Sequence, residues 1–305
     1  MAHRRQSASG TGRAPSPVDS LHHQVLAALA QHRITTASQV RQMLRPRGSK
    51  QLLSRVLNRL RSEGLVDYTV LPEVRRSPRT HAWYLTPAGA RMTRDLPVLR
   101  GRPPYPVTSR TAASLKTPHT LTVVRAHLAF AAEAHRLGHE HGPWDWTPEV
   151  SHSIGEGERL VADAVMRYTE VAGQQRRKLR AFVEVDRATM SSERLAVKLI
   201  EYARLFRYEP PPLRQRVKSS AGPTWLRWYP LFPRVLFILT GASPARLHSR
   251  IGDLQAMAAQ HPLVASLSRE VPLGAAVLED LEEHGAAANV WTPLLGGAPR
   301  SWSGL

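Results

Sequence analysis

Residues 180–206 read RAFVEVDRATMSSERLAVKLIEYARLF. Arg180 to Asp186 has strand composition, with the β-branched Val183 and Val185 alternating against Glu184 and Asp186. From Ser192 to about Phe206 the chain reads as a helix carrying Arg194, Lys198 and Tyr202 at i, i+4 and i+8. A simple alternation would turn both acids to solvent. In a sheet covered by helices, however, both faces should be apolar, so a polar face at this strand's end reads as a site.

Working backwards, QQRRK (174–178) suits a hairpin turn, and Leu160 to Tyr168 is a second strand. Trp144 to Val150 is a third, placed at an edge by Pro148. His119 to about Leu137 is a helix with Leu121, Val124, Leu128 and Ala132 along one side. Working forwards, a Pro- and Arg-rich insertion (208–233) precedes Arg234 to Leu239, almost wholly apolar as a central parallel strand should be. A helix from Pro244 to Gln260 follows. The order helix, three strands, helix, strand, helix predicts a sheet covered by helices. It is also the αβββαβ core of restriction-endonuclease-like, PD-(D/E)xK domains.

That fold would use Asp163 on the second strand and Glu184 on the third. Two carboxylates at neighbouring strand ends suit a hard divalent ion, magnesium or manganese, that activates a water. The lysine normally found two residues after the second acid is replaced by Asp186, and Lys198 would substitute from the following helix. The expected catalytic set is therefore Asp163, Glu184, Asp186 and Lys198, with Asp163 and Glu184 as metal ligands. The plain alternative for Asp186 is an ion pair with Arg187 or Arg194. His119 and Glu149 are lower-ranked candidates for the same site. His135, His139 and His141 cluster in HRLGHEH, but with Gly138 breaking the helix and no thiols, zinc ranks low. No Walker, Rossmann or GxSxG motif is present.

The first third of the chain has a different order. Helices are expected at Leu21 to His32, Ala37 to Leu44 and from Ser49 to a stop at Gly64. Strands follow at Leu65–Leu71 and His81–Thr86, separated by an arginine-rich loop, and Thr86-Pro87 opens a closing helix. This is the order of a winged helix-turn-helix. In such a domain the third helix enters the major groove and the wing lies over backbone or minor groove. The residues expected in the groove are Ser49, Lys50, Gln51, Ser54, Arg55 and Asn58, with Arg75, Arg76 and Arg79 on the wing. The alternative is a protein-interaction module, which usually has a neutral or acidic third helix.

Charge agrees with this placement. Residues 1–110 hold 19 Lys+Arg against 5 Asp+Glu, an excess of +14, while the whole chain carries +18. A localised cationic excess is what neutralising DNA phosphates requires; RNA, anionic lipid or a solvated basic surface are the alternatives. There is no cysteine, which excludes disulfides and thiolate zinc sites. Apolar runs are too short to span a bilayer, so a cytoplasmic, nucleoid-associated protein is expected. The expected division is a disordered basic arm (1–17), a winged helix (18–97), a linker (98–118), a nuclease-like domain (119–262) and a partly flexible C-terminal extension (263–305).

The segments LKTPHTLTVVRAHL (115–128), RLVADAVMRY (159–168) and above all FVEVDRATMSSERLAVKLIEYARLF (182–206) resemble the replication-relaxation family of actinobacterial plasmids and integrative elements. The resemblance implies a winged helix joined to a nuclease-like domain, acting in plasmid replication, mobilisation or copy control. By the motif, Asp163, Glu184, Asp186 and Lys198 carry over as the suspected site; Ala162 departs from a strict Pro-Asp pair. Expected partners are double-stranded DNA, replication or conjugation proteins and a second copy of the chain, with no membrane. Three functions follow: a DNA-binding accessory factor, a magnesium-dependent endonuclease or nickase targeted by its winged helix, or a transcriptional regulator.

Overall fold

The computed structural model describes residues 20–71, 80–99, 110–189, 191–209 and 222–305. The N-terminal elements are α1 (Leu21–His32), β1 (Ile34–Thr36), α2 (Ala37–Leu44), α3 (Lys50–Ser62), β2 (Val66–Val70), β3 (His81–Leu85) and α4 (Pro87–Thr93). Hydroxyl caps set the helix starts. Ser20, Thr36, Ser49 and Thr86 each accept the backbone N–H three residues on, and Thr36 completes a capping box with Gln39. Gly64 ends the α3 turn at φ +70°. The strands form an antiparallel sheet in the order β1-β3-β2, which is the sheet of a winged helix-turn-helix.

Val25, Leu29, Val40, Leu53, Leu57, Leu60, Trp83 and Leu85 make the core of this unit. Each aliphatic side chain among them contributes about 1.5–3 kcal/mol by leaving water. Gly89 lets α4 lie directly on the start of β2. A Cβ there would come within 2.0 Å of the Leu65 carbonyl oxygen, so no other residue fits without moving backbone.

The second unit comprises α5 (Arg110–Leu137), β4 (Trp146–Gly155), β5 (Glu158–Ala172), β6 (Gln175–Asp186), α6 (Ser192–Arg207), β7 (Arg234–Leu239), α7 (Pro244–Gln260), α8 (Pro262–Glu270), β8 (Leu273–Val277), α9 (Leu278–His284) and β9 (Thr292–Pro293). Among the described residues the sheet order is β4-β5-β6-β7-β8-β9. The meander β4–β6 is antiparallel, β6, β7 and β8 are parallel, and β9 returns antiparallel. Helices α6, α7 and α8 cover one face over Phe182, Val235, Phe237 and Leu239. Helices α5 and α9 cover the other over Val183, Val185, Leu236 and Ile238. The mixed sheet with its αβββαβ core has the restriction-endonuclease-like organisation expected from the element order.

Two expectations are corrected. The helix expected from His119 begins at Arg110 and runs through Pro118, so the end of the expected linker is helical; residues 100–109 lie outside the described residues. Just beyond Pro118, Leu121 packs with Ile34, Ala82 and Tyr84 of the winged helix. The expected C-terminal extension is part of the core. β8 and β9 extend the main sheet, and Trp291 and Trp302 are fully buried beside Phe130. The arm (1–17) and much of the insertion (210–221) also lie outside the described residues.

The winged helix packs against α5 and β4. Gln39 Nε2 donates to the Leu121 carbonyl at 2.9 Å, Gln31 donates to the Trp146 carbonyl, and Arg33 pairs with Glu149. His32 of α1 stacks on His127 of α5 at 5.0 Å, and His127 meets His141 edge-on at 5.1 Å. Burial holds His127 and His141 below the usual imidazole range, so these rings sit in the seam as neutral aromatic spacers. Among the described residues no helix is long and apolar enough to cross a membrane.

Candidate functional site

Helix α3 divides cleanly into two faces. Leu53, Val56, Leu57 and Leu60 are buried, while Ser49, Lys50, Gln51, Ser54, Arg55 and Asn58 are all exposed. The 3.6-residue period therefore puts the whole expected groove-facing set on the solvent side. Ser49 has a structural duty as well, since its Oγ accepts the Leu52 N–H at 3.3 Å. Ser54 and Asn58 border a concavity of about 350 Å³ shared with Ser38 of α2 and with Thr80 and His81 at the wing strand.

The cations on this helix fall into two groups. Arg59 pairs with Glu63, and Arg61 pairs with Asp67 while lying 4.6 Å from the centre of the Tyr68 ring. Lys50 and Arg55, nearer the helix start, have no acidic partner among the described residues. Both side chains are open to solvent. The expected wing residues Arg75, Arg76 and Arg79 lie outside the described residues.

The acids of the second unit do converge. Glu184 and Asp186 point into the α6–α8 side of the sheet and are only 4% and 2% exposed, so the solvent-facing alternation does not occur. Tyr202 donates to Glu184 Oε1 at 2.7 Å, and Lys198 Nζ lies 3.5 Å from the same oxygen while donating to the Val161 carbonyl at 2.7 Å. Lys198 thus reaches the acid from the next helix, as the sequence suggests. Burial, then the charge of Asp163, pushes the Glu184 carboxyl up to about 8. Glu184 is therefore a neutral carboxylic acid near pH 7.

Asp163 interrupts the β5–β6 ladder beyond the Ala164–Val183 pair, where its Oδ2 accepts the Val185 backbone N–H at 2.8 Å. Its other oxygen is 2.9 Å from His119 Nε2. That contact raises the imidazole above its ordinary value. Glu149, the other lower-ranked candidate, pairs instead with Arg33; it borders the same small cleft as His119 and Asp163. Asp186 pairs neither with Arg187 nor with Arg194. Arg250 of α7, itself 5% exposed, donates Nε to Asp186 Oδ2 at 2.9 Å and adds a second bond from Nη2. The turn after β7 closes over this end of the sheet at Gly241, φ +82°, where a Cβ would lie 2.7 Å from the Arg187 carbonyl.

Arg250 escapes a reading by motif, yet it leaves a trace in the sequence. It falls among Leu247, Ile251 and Leu254 on the buried stripe of α7, and a cation inside an apolar stripe demands an acid.

This donor set does not fit a divalent ion. Both Asp163 oxygens face N–H or imidazole donors, and Glu184 faces Tyr202 and Lys198. Asp186 faces Arg250 through Oδ2, while its Oδ1 is buried without a partner among the described residues. A dication would have to displace His119, Lys198 and Arg250 from the oxygens they now contact. Among the described residues no three His, Asp or Glu side chains are grouped to hold a metal. The HRLGHEH histidines are equally dispersed: His135 is exposed, His139 Nδ1 is 3.0 Å from the Tyr168 hydroxyl, and His141 Nδ1 is 2.7 Å from the Arg167 carbonyl.

The raised Glu184 value sets a pH dependence. The unfolded chain loses this proton near the ordinary value of 4.5 and the folded chain near 8, so folding stability falls as pH rises between them. In Glu184→Gln the group cannot ionise. Its stability relative to wild type is expected to improve steadily from pH 5 to pH 8 in urea unfolding. A difference that stays constant across that range would show that Glu184 titrates as an ordinary carboxylate.

The chain matches no curated protein and no solved structure. A family model described as replication-relaxation matches residues 26–213, which takes in the winged helix, α5, the meander and α6 with the Asp163, Glu184, Asp186 and Lys198 cluster. With well over half of its length covered, the chain belongs to the replication-relaxation family.

Proposed function

We propose that this is a DNA-binding accessory protein of plasmid or mobile-element replication, mobilisation or copy control, working in the cytoplasm on the nucleoid. The winged helix grips duplex DNA, and the nuclease-like domain carries it as a non-cleaving platform for DNA or replication partners. The observation that supports this most is the exposed polar face of α3, where Lys50 and Arg55 have no acid to neutralise them among the described residues. Phosphate oxygens supply that charge, and Gln51, Ser54 and Asn58 offer the hydrogen-bonding groups that read base edges. The partners already held by these acids within the protein, Tyr202 and Lys198 on Glu184, His119 on Asp163 and Arg250 on one oxygen of Asp186, favour a binding role over cleavage.

One experiment separates this reading from the endonuclease reading. Supercoiled plasmid is incubated with the protein in magnesium or manganese, and both retardation and topology are read. Retardation without nicking is the expected result. Conversion to nicked or linear DNA, lost in Asp163→Ala and Glu184→Ala, would make the protein a nuclease; absence of retardation at low salt would remove the DNA-binding role.

A further inference from the structure

The meander β4–β6 carries a second cationic surface, far in sequence from α3. Antiparallel partners share a face, so the β5–β6 register groups Val165 with Phe182, Arg167 with Arg180, and Thr169 with Lys178 on one side of the sheet. Val165 and Phe182 lie in the core beneath α6–α8. Further along, the same face emerges from the helices: Arg167 and Lys178 are exposed and Arg180 is half-buried.

Two arginines directly opposite in a ladder repel each other, and such pairs are destabilising. Local contacts relieve this only in part. Arg167 donates to the Trp144 carbonyl at 2.6 Å and lies 3.5 Å from Asp145. Arg180 donates to the Trp228 carbonyl at 3.2 Å, with its guanidinium 5.8 Å from the centre of the Tyr229 ring. Lys178 has no partner among the described residues. Next along this face Arg176 is paired with Glu140. The 3-10 turn Thr224–Arg227 delivers Trp228 to the same place, 67% exposed, and the exposed Arg227 precedes it.

We infer that this face binds single-stranded nucleic acid, with a base stacked on Trp228 and phosphates on Arg167, Lys178 and Arg180. Cations alone would serve a duplex. An exposed indole set against a cationic ladder matches an unpaired base and its backbone, because every base offers a π-face once it is out of the helix. Leu226 and Leu231 are also exposed and would suit a protein partner. The only partly relieved Arg167–Arg180 pair and Lys178, without a partner among the described residues, favour a polyanion instead. A surface for unpaired strands, separate from one for duplex, suits a protein that works where DNA is opened.

The test is fluorescence anisotropy of labelled oligo(dT) with the full chain. Trp228→Ala is expected to weaken binding about tenfold, and Lys178→Ala to lower the slope of log affinity against log salt by about 0.7. Both side chains are exposed, and both variants should bind duplex DNA as wild type does. The winged-helix variant Lys50→Glu with Arg55→Glu should lose duplex binding and keep oligo(dT) binding, so failure of one surface is distinguishable from failure of the other. Wild-type protein that does not bind oligo(dT), or binding unchanged in both Trp228→Ala and Lys178→Ala, would overturn the inference.

Discussion

Asp186→Ala is expected to remove about 3–5 kcal/mol of folding stability, the usual loss when one partner of a buried ion pair is deleted. The reason is the environment of Arg250. Its guanidinium is held by Asp186 through two hydrogen bonds, and both residues are almost wholly inaccessible. With the aspartate gone, a permanently charged group stays in the core between α7 and the end of β6, where it cannot neutralise itself by losing a proton. Removing both charges is a different experiment. Asp186→Leu combined with Arg250→Met should recover most of the loss, since apolar replacement of a whole buried pair is often neutral. Urea unfolding of the single and double variants checks this; additive losses would show that the two groups do not act as a pair.

The second large effect concerns DNA. Lys50→Glu with Arg55→Glu replaces two exposed cations that have no acidic partner among the described residues, so the fold should be unaffected. If each contact contributes about 1–3 kcal/mol, loss of both should lower duplex affinity on the order of 10³-fold. Arg59→Ala and Arg61→Ala serve as controls. Those side chains already pair with Glu63 and Asp67, so their loss should weaken duplex binding far less. Equal losses for both pairs would point to a diffuse basic surface instead of an oriented helix.

The winged helix was legible because its signals are local. Hydroxyl caps at Ser20, Thr36, Ser49 and Thr86 and the break at Gly64 fix the elements within a few residues of each one. The approach of Lys198 to Glu184 was also legible, because the helix that follows the strand constrains where its side chains meet it. The Asp186–Arg250 pair was not, since its partners are 64 residues apart and no periodicity links a strand end to a distant helix. The C-terminal strand was missed for another reason. LGAAV (273–277) is buried at every position, and its small residues give neither the alternation nor the β-branched composition that marks a strand. The seam between the two units was hidden because His32 and His127 look like surface residues in sequence, while burial makes them packing groups.

The acids at the strand ends tie the sheet to the helices around it. The acids that would hold a cation are answered by Lys198, Arg250 and His119. These contacts tie β5, β6, α6 and α7 together at the strand ends. The same sheet still sets the position of α5, against which the winged helix packs.

The most direct test of DNA binding through α3 is the affinity of the full chain for duplex DNA measured across a range of salt. Log affinity is expected to fall linearly with log salt, by about 0.9 for each phosphate neutralised, with a shallower slope in Lys50→Glu/Arg55→Glu. Affinity that ignores salt, or a slope identical in wild type and variant, would contradict it.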